Sequence, residues 1–309
     1  MLTSTSLVAA RAAALRASLA AAGKALADYA RLVRLHRPVG IWLLLWPALW
    51  GLWVAARGHP HEHVFVVFML GVVLTRSAGC AINDFADRRF DPHVARTGDR
   101  PLATGAVSAP EALLIYAILS LLALALVLTL DRLTVRYAIA GAALMAVYPF
   151  LKRFFPLPQV WLGAAFSWSV PMAFAAETHA VPRLAWLLFV AGLLWTAVYD
   201  TMYAMVDRDD DLKLGIRSTA ILFGDADRWV IAAMQVLVLY ALWLTGEQAS
   251  LGPWYRGGLV AGAALFAYQQ WLIRGRDRAR CFRAFTNNVW FGLIVFVGLA
   301  LDGLFRAPA

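Results

Sequence analysis

Charge is scarce in this chain. Only 15% of its 309 residues are Asp, Glu, Lys or Arg, where a soluble globular domain carries roughly 25%, and 61% are hydrophobic. With a mean hydropathy of +0.66, 13 Trp and 17 Phe, the chain holds more apolar side chain than one water-soluble core of this length can bury. The bilayer is therefore its solvent. Cysteine is scarcer still. Cys80 and Cys281 lie 201 positions apart in apolar surroundings, which gives neither a disulfide framework nor a CxxC metal site. Acids are outnumbered, 19 against 28 basic residues, for a net charge of +9. That balance would suit nucleic acid, but membrane proteins also collect Lys and Arg on cytoplasmic loops, so location decides.

A helix needs about 20 apolar residues to cross the hydrocarbon core. Uncharged runs of that order cover residues 38–56, 112–130, 154–176, 184–199, 229–246, 257–273 and 284–301. A shorter run at 137–151 and one at 64–82, interrupted by Arg76, raise the expected count to nine spans. With the N-terminus inside, the inner segments hold 21 Lys and Arg and the outer segments six, the asymmetry a multi-pass membrane protein requires. The basic residues thus belong to the membrane topology. Nucleic acid is excluded as a partner, and no protein partner is legible. Residues 1–37 are Ala-rich with Arg11, Arg16, Lys24, Arg31 and Arg34 and are expected to form an amphipathic segment at the inner surface, leaving 38–309 as a nine-helix domain. An organellar transit peptide looks similar, but the segment runs without a cleavage-like stretch into the first span.

Fourteen of the 19 acids fall on the inner side or at inner helix ends, and they concentrate in NDFADRRFD (83–91) and DTMYAMVDRDDD (200–211). If the second span continues as a helix, Arg76, Asn83, Asp87 and Asp91 fall within an arc of roughly 80°. In the sixth span Asp200, Asp207 and Asp211 fall within roughly 40°, with Asp209 pointing away and Asp210 toward one edge. The pair Asp87 and Asp91 recurs as Asp207 and Asp211, 120 residues on in both cases. Such an offset suggests a parallel internal repeat whose acidic ends face one inner-side central cavity.

Carboxylates on facing helices at i and i+4 suit a hard cation, and Mg²⁺ in particular is usually shared between carboxylates, water and substrate phosphates. A polyphosphate substrate follows. Of the basic residues flanking this surface, Arg96 and Arg100, which follow the first acidic helix, and Lys152, one turn after Tyr148, are the candidates to hold phosphate oxygens.

These segments resemble the UbiA superfamily of intramembrane prenyltransferases. The resemblance runs through RLHRPVGIWLLLWPALWGLW (34–53), RSAGCAINDFADRRFDPHVARTGDRPLATG (76–105), YPFLKRFFPLPQ (148–159) and YDTMYAMVDRDDDLKLGIRSTAILFG (199–224). It matches the NDxxDxxxD signature as Asn83, Asp84, Asp87 and Asp91, and the second cluster as Asp200, Asp207 and Asp211. YAMVDRDDD and GIRSTAILFG look like the hydroxybenzoate branch. The resemblance implies that Asn83, Asp84, Asp87, Asp91, Asp207 and Asp211 hold Mg²⁺ on a polyprenyl diphosphate, and that Asp87, Asp91, Asp200, Asp207 and Asp211 carry the catalysis. It implies transfer of the prenyl group to the ring carbon ortho to the hydroxyl of 4-hydroxybenzoate, in ubiquinone biosynthesis. The expected location is a bacterial inner membrane, or alternatively the mitochondrial inner membrane.

An acceptor with a carboxylate calls for a cation on the reaction face. Arg76, two turns before Asn83, is well placed, because a charge within a span is costly unless it faces a partner or cavity. The competing expectation is an ion pair with Asp200. Arg34 is a second candidate. His59, His61 and His63 read as a solvated outer loop, and Asn287 and Asn288 as amides bridging helices. Two rivals remain: prenyl transfer to another aromatic acceptor, and a secondary transporter, which would place its acids near the midplane rather than at inner helix ends.

Overall fold

A computed structural model of the protein describes residues 4–93, 97–151, 155, 157–215 and 217–305. The described residues form helices and no strand: α1 (Ser4–Leu32), α2 (Val39–Ala55), α3 (Glu62–Asp87), α4 (Ala109–Val127), α5 (Arg132–Leu151), α6 (Pro158–Ser167), α7 (Ser169–Thr178), α8 (Arg183–Leu214), α9 (Thr219–Phe223), α10 (Asp227–Gln248), α11 (Pro253–Ile273) and α12 (Arg278–Phe305), with short 3-10 turns at Asp91–His93 and Gly224–Ala226.

Among the described residues six stretches are long and apolar enough to cross a membrane: α3, α4, α5, Arg183–Lys213 of α8, Thr219–Gln248 and α12. The other three expected crossings lie on α2, on the α6 and α7 pair, and on α11. α2 has 17 residues, and α6 and α7 have 10 each. The run read as one span at 154–176 is broken at Trp168, because Pro171 has no N–H to donate to the Ser167 carbonyl. α11 has 21 residues but includes Arg256, Gln269 and Gln270. Along α4 the side chains of Leu113, Leu114, Ile118, Leu121 and Leu122 are exposed, as expected where hydrocarbon is the solvent.

The chain packs as two units, one of Met1–Pro38 with Ser77–Leu119 and one of Val39–Arg76 with Ser120–Ala309. In the first, Leu32, Ala81, Val107 and Ala112 form a small buried core, flanked by Tyr29, Leu102, Ile115 and Tyr116. Tyr29 Oη donates to Glu111 Oε1 at 2.8 Å. Glu111 Oε2 also accepts from the Ser108 backbone N–H at 2.8 Å, so Ser108 and Glu111 close a capping box at the start of α4. In the second unit the core is aromatic. Trp50, Trp195 and Phe291 are fully buried, with ring centroids 5.0 Å apart for Trp50 and Trp195 and 5.6 Å for Trp195 and Phe291. Both indoles find acceptors: Trp50 Nε1 donates to the Gly292 carbonyl and Trp195 Nε1 to Asn288 Oδ1, which removes the cost of burying an N–H.

One expected helical face is shorter than the sequence spacing suggested. α3 ends at Asp87, and Asp91 opens a separate 3-10 turn, so the helical arc holds Arg76, Asn83 and Asp87 but not Asp91. Pro92 explains the limit, since it disfavours helical backbone at Asp91 and cannot donate to the Arg88 carbonyl.

Candidate functional site

The first acidic cluster is built at the C-terminal end of α3. Asp84, Asp87 and Asp91 are all buried, Asp84 completely, and buried carboxylates must find cations or donors. Two guanidiniums supply them. Arg34 Nη2 donates to Asp84 Oδ1 at 2.8 Å. Arg100 Nη1 donates to Asp91 Oδ1 and Oδ2 at 3.0 and 2.8 Å and lies 3.1 Å from Asp84 Oδ1. Arg34 is held by this pair with its backbone in the left-handed region, φ 62°, so it is bound into the acidic cluster. Asn83 Nδ2 donates to Asp87 Oδ2 at 3.3 Å, along one helical turn. Burial pushes the Asp91 carboxyl above the usual carboxylate range, against the pull of Arg100 in the other direction.

Asp84 Oδ2 is buried without a hydrogen-bond donor among the described residues. A carboxylate oxygen left in this state fits a cation that arrives with its ligand. Among the described residues no three His, Cys, Asp or Glu groups converge as a ready-made metal site. The side chains of Asp84, Asp87 and Asp91 offer oxygen donors, the kind a hard cation such as Mg²⁺ prefers.

The second cluster lies on α8, a single helix of 32 residues that carries Asp200, Asp207 and Asp211 without a break, so their common face is preserved. All three are half-buried. The other faces of the same turns are engaged in packing. Arg278 pairs with Asp209 at 3.1 Å and with Asp210 at 3.4 Å. Arg208 Nη1 lies 3.8 Å from Asp227 Oδ2, and Asp227, fully buried, accepts from Arg276 Nε at 3.0 Å and Nη2 at 2.8 Å. This clamp on the back of the acidic helix joins residues far apart in the sequence and leaves no local spacing pattern. Its sequence signal is the excess of Arg in 274–283, with Asp227 47 positions before Arg274.

Arg76 is half-buried within α3. Its guanidinium carbon lies 5.9 Å from the centroid of the buried Phe166 ring on α6. No ion pair joins Arg76 to Asp200 among the described residues. Tyr148, near the end of α5, is half-buried against the aromatic core. Arg96 and Lys152 lie outside the described residues. Of the histidines, His61 Nδ1 lies 2.6 Å from Glu177 Oε2 and His63 Nε2 lies 3.0 Å from Thr129 Oγ1. Asn288 receives Trp195 from α8, and Asn287 Oδ1 accepts from Gln269 on α11, so both amides bridge helices.

A family model described as the UbiA prenyltransferase family matches residues 44–294. A 4-hydroxybenzoate octaprenyltransferase from Alkalilimnicola ehrlichii is 57% identical over 275 residues, covering 89% of this chain and 94% of the relative. Among solved structures, the apo structure of a UbiA homologue from Aeropyrum pernix K1 superposes with a TM-score of 0.76 at 26% identity, covering 85% of this chain and 97% of that one. A UbiA homologue from Archaeoglobus fulgidus bound to GPP and Mg²⁺ shares the fold, with a TM-score of 0.65 at 19% identity over 88% of this chain and 99% of that one.

Proposed function

The chain belongs to the UbiA prenyltransferase family, and on that premise we propose that it transfers a polyprenyl group from a polyprenyl diphosphate to 4-hydroxybenzoate, for ubiquinone biosynthesis. The observation that carries this reading is the cluster of Asp84, Asp87 and Asp91. It is a group of buried carboxylates at and just beyond the end of α3, in a chain 57% identical to a 4-hydroxybenzoate octaprenyltransferase. Nine crossings, with α2, the α6 and α7 pair and α11 added to the six long apolar stretches, a parallel repeat and an inner-side central cavity complete the proposal. The 21 to six bias of basic residues supports this count.

In this reading Asn83, Asp84, Asp87, Asp91, Asp207 and Asp211 hold Mg²⁺ on the donor's diphosphate, and Asp200 belongs to the same catalytic set. The metal, when bound, supplies positive charge that offsets the charge developing on the leaving group. Arg96, Arg100, Lys152 and Tyr148 bind the remaining phosphate oxygens. The allylic C–O bond breaks with its electron pair going to diphosphate, the ring carbon ortho to the phenol oxygen attacks the allylic cation, and loss of the ring proton restores aromaticity. Arg76 pairs with the acceptor carboxylate, and Arg34, already held on Asp84, steadies the first acidic cluster. Apolar and aromatic walls exclude water, which would otherwise capture the cation as a prenyl alcohol.

Residues 1–37 act as a surface segment of a bacterial inner membrane. Leu15, Leu19 and Leu26 of α1 are exposed, and their spacing places them within roughly 40° of one another. Such a stripe can enter the headgroup boundary while the Arg and Lys side chains meet anionic lipid.

The test is to incubate purified protein with 4-hydroxybenzoate and a series of prenyl diphosphates, with and without Mg²⁺, and identify products by mass spectrometry. Ring-prenylated hydroxybenzoate formed only with Mg²⁺ is the expected result. Products on other phenols and none on 4-hydroxybenzoate would overturn it.

A further inference from the structure

Arg76 leans on a residue with no side chain. A Cβ built on Gly40, in the first turn of α2, would lie 2.3 Å from Arg76 Nε, 2.4 Å from Nη2 and 2.7 Å from Cζ. The guanidinium therefore rests directly on the α2 backbone, in space that any residue other than glycine would occupy. On α6, the Phe166 ring is 5.9 Å from the same guanidinium, and no hydrogen bond or ion pair to another described residue fixes it. Gly40 does not need glycine for its backbone, since its φ is not positive.

We propose that Gly40 is a positioning residue for acceptor recognition: the missing Cβ sets where the Arg76 guanidinium sits, and so where the acceptor's carboxylate binds. This rests on the reading of Arg76 given above. Non-bonded atoms keep a separation of roughly 3.5 Å, so a methyl group at position 40 displaces the guanidinium by about 1 Å, a shift large enough to cost a planar fork much of its bidentate match to a carboxylate. The fold itself is spared. The clash is with the far end of a flexible side chain, and alanine is a better helix former than glycine.

The experiment compares wild type, Gly40→Ala, Arg76→Gln and the double variant. It measures KM for 4-hydroxybenzoate, KM for the prenyl diphosphate, equilibrium binding of radiolabelled 4-hydroxybenzoate, and Tm in detergent. Gly40→Ala is expected to weaken acceptor binding and raise acceptor KM on the order of tenfold, with donor KM and Tm little changed. In the Arg76→Gln background, Gly40→Ala should add nothing. Acceptor KM unchanged in Gly40→Ala but raised in Arg76→Gln would overturn the role of Gly40 and leave that of Arg76 standing. An equal rise from Gly40→Ala in both backgrounds, or a matching loss of Tm or donor binding, would also overturn it. Acceptor binding unchanged in Arg76→Gln would remove the reading of Arg76, and this proposal with it.

Discussion

Arg100 bridges two carboxylates that lie seven residues apart, donating to both oxygens of Asp91 at 3.0 and 2.8 Å and lying 3.1 Å from Asp84. One guanidinium thus stands between two acids assigned to metal and diphosphate. Arg100→Gln removes that cation from buried carboxylates, which is expected to cost about 3 kcal/mol of stability. Added Mg²⁺ can neutralise the same oxygens, so it should raise the variant's Tm in detergent more than that of wild type. An equal Mg²⁺ effect on both proteins would count against a shared site.

Replacing Asp87, Asp91, Asp207 or Asp211 by Asn keeps shape and removes charge. Each should raise the barrier by several kcal/mol if the carboxylate holds the cation on the leaving group. Asp209, exposed and paired with Arg278 at 3.1 Å, is a control on the same helix. Its surface ion pair is worth at most about 1 kcal/mol, so Asp209→Asn should leave kcat nearly intact. Similar losses at Asp207 and Asp209, measured as single-turnover rates, would remove the argument from helical faces.

The helical spacing of the acids was legible: Asn83 and Asp87 stay on α3, and Asp200, Asp207 and Asp211 stay on α8. Asp91 leaves the α3 face because Pro92 follows it, a local signal that outweighs periodicity. Pro171 likewise divides a run that hydropathy reads as one span. The pairing of Arg34 with Asp84, 50 positions apart, leaves no local pattern, since it depends on how α1 packs beside the end of α3. The contact of Gly40 with Arg76 was hidden for the same reason, because a missing Cβ has meaning only once its neighbour is placed.

Asp227 anchors the back of the second acidic helix. It is fully buried and accepts two hydrogen bonds from Arg276, with Arg208 at 3.8 Å. Removing Arg276 leaves a buried carboxylate with its nearest remaining cation at the edge of ion-pair range. Arg276→Gln should therefore cost about 3 kcal/mol. Arg276→Gln combined with Asp227→Asn should cost less than the sum of the single changes. Additive losses of Tm would show that the two side chains act independently.

His36, exposed beside Arg31, Arg34 and Arg37, is held below the ordinary imidazole value of 6.5 by partial desolvation, followed by the charge of these guanidiniums. A depressed value means that the folded state resists protonation. Its contribution to stability is therefore full above 6.5 and lost as the pH falls through the lower native value. In a Tm series from neutral to mildly acid pH, His36→Gln should decline less than wild type. Parallel declines would mean that His36 is not a source of acid sensitivity.

Topology decides which compartment supplies the substrates. The proposed orientation, argued from the bias of 21 basic residues to six, has the ends of α3 and α8 and the loop between α11 and α12 in the cytoplasm. Single cysteines report this with an impermeant thiol reagent on intact cells, after the buried Cys80 and Cys281 are replaced by Ala. Lys213 and Asp277 are exposed on the proposed inner side, and His61 and Gln248 on the outer, so all four are suitable positions. Thr97 is buried at 3% exposure and would give a false negative. Labelling of His61→Cys and Gln248→Cys in intact cells, with Lys213→Cys and Asp277→Cys labelled only after permeabilisation, is the expected pattern. Labelling of Lys213→Cys in intact cells would invert the orientation and place the acidic helix ends, with the diphosphate they are proposed to hold, on the far side of the membrane from a cytosolic supply.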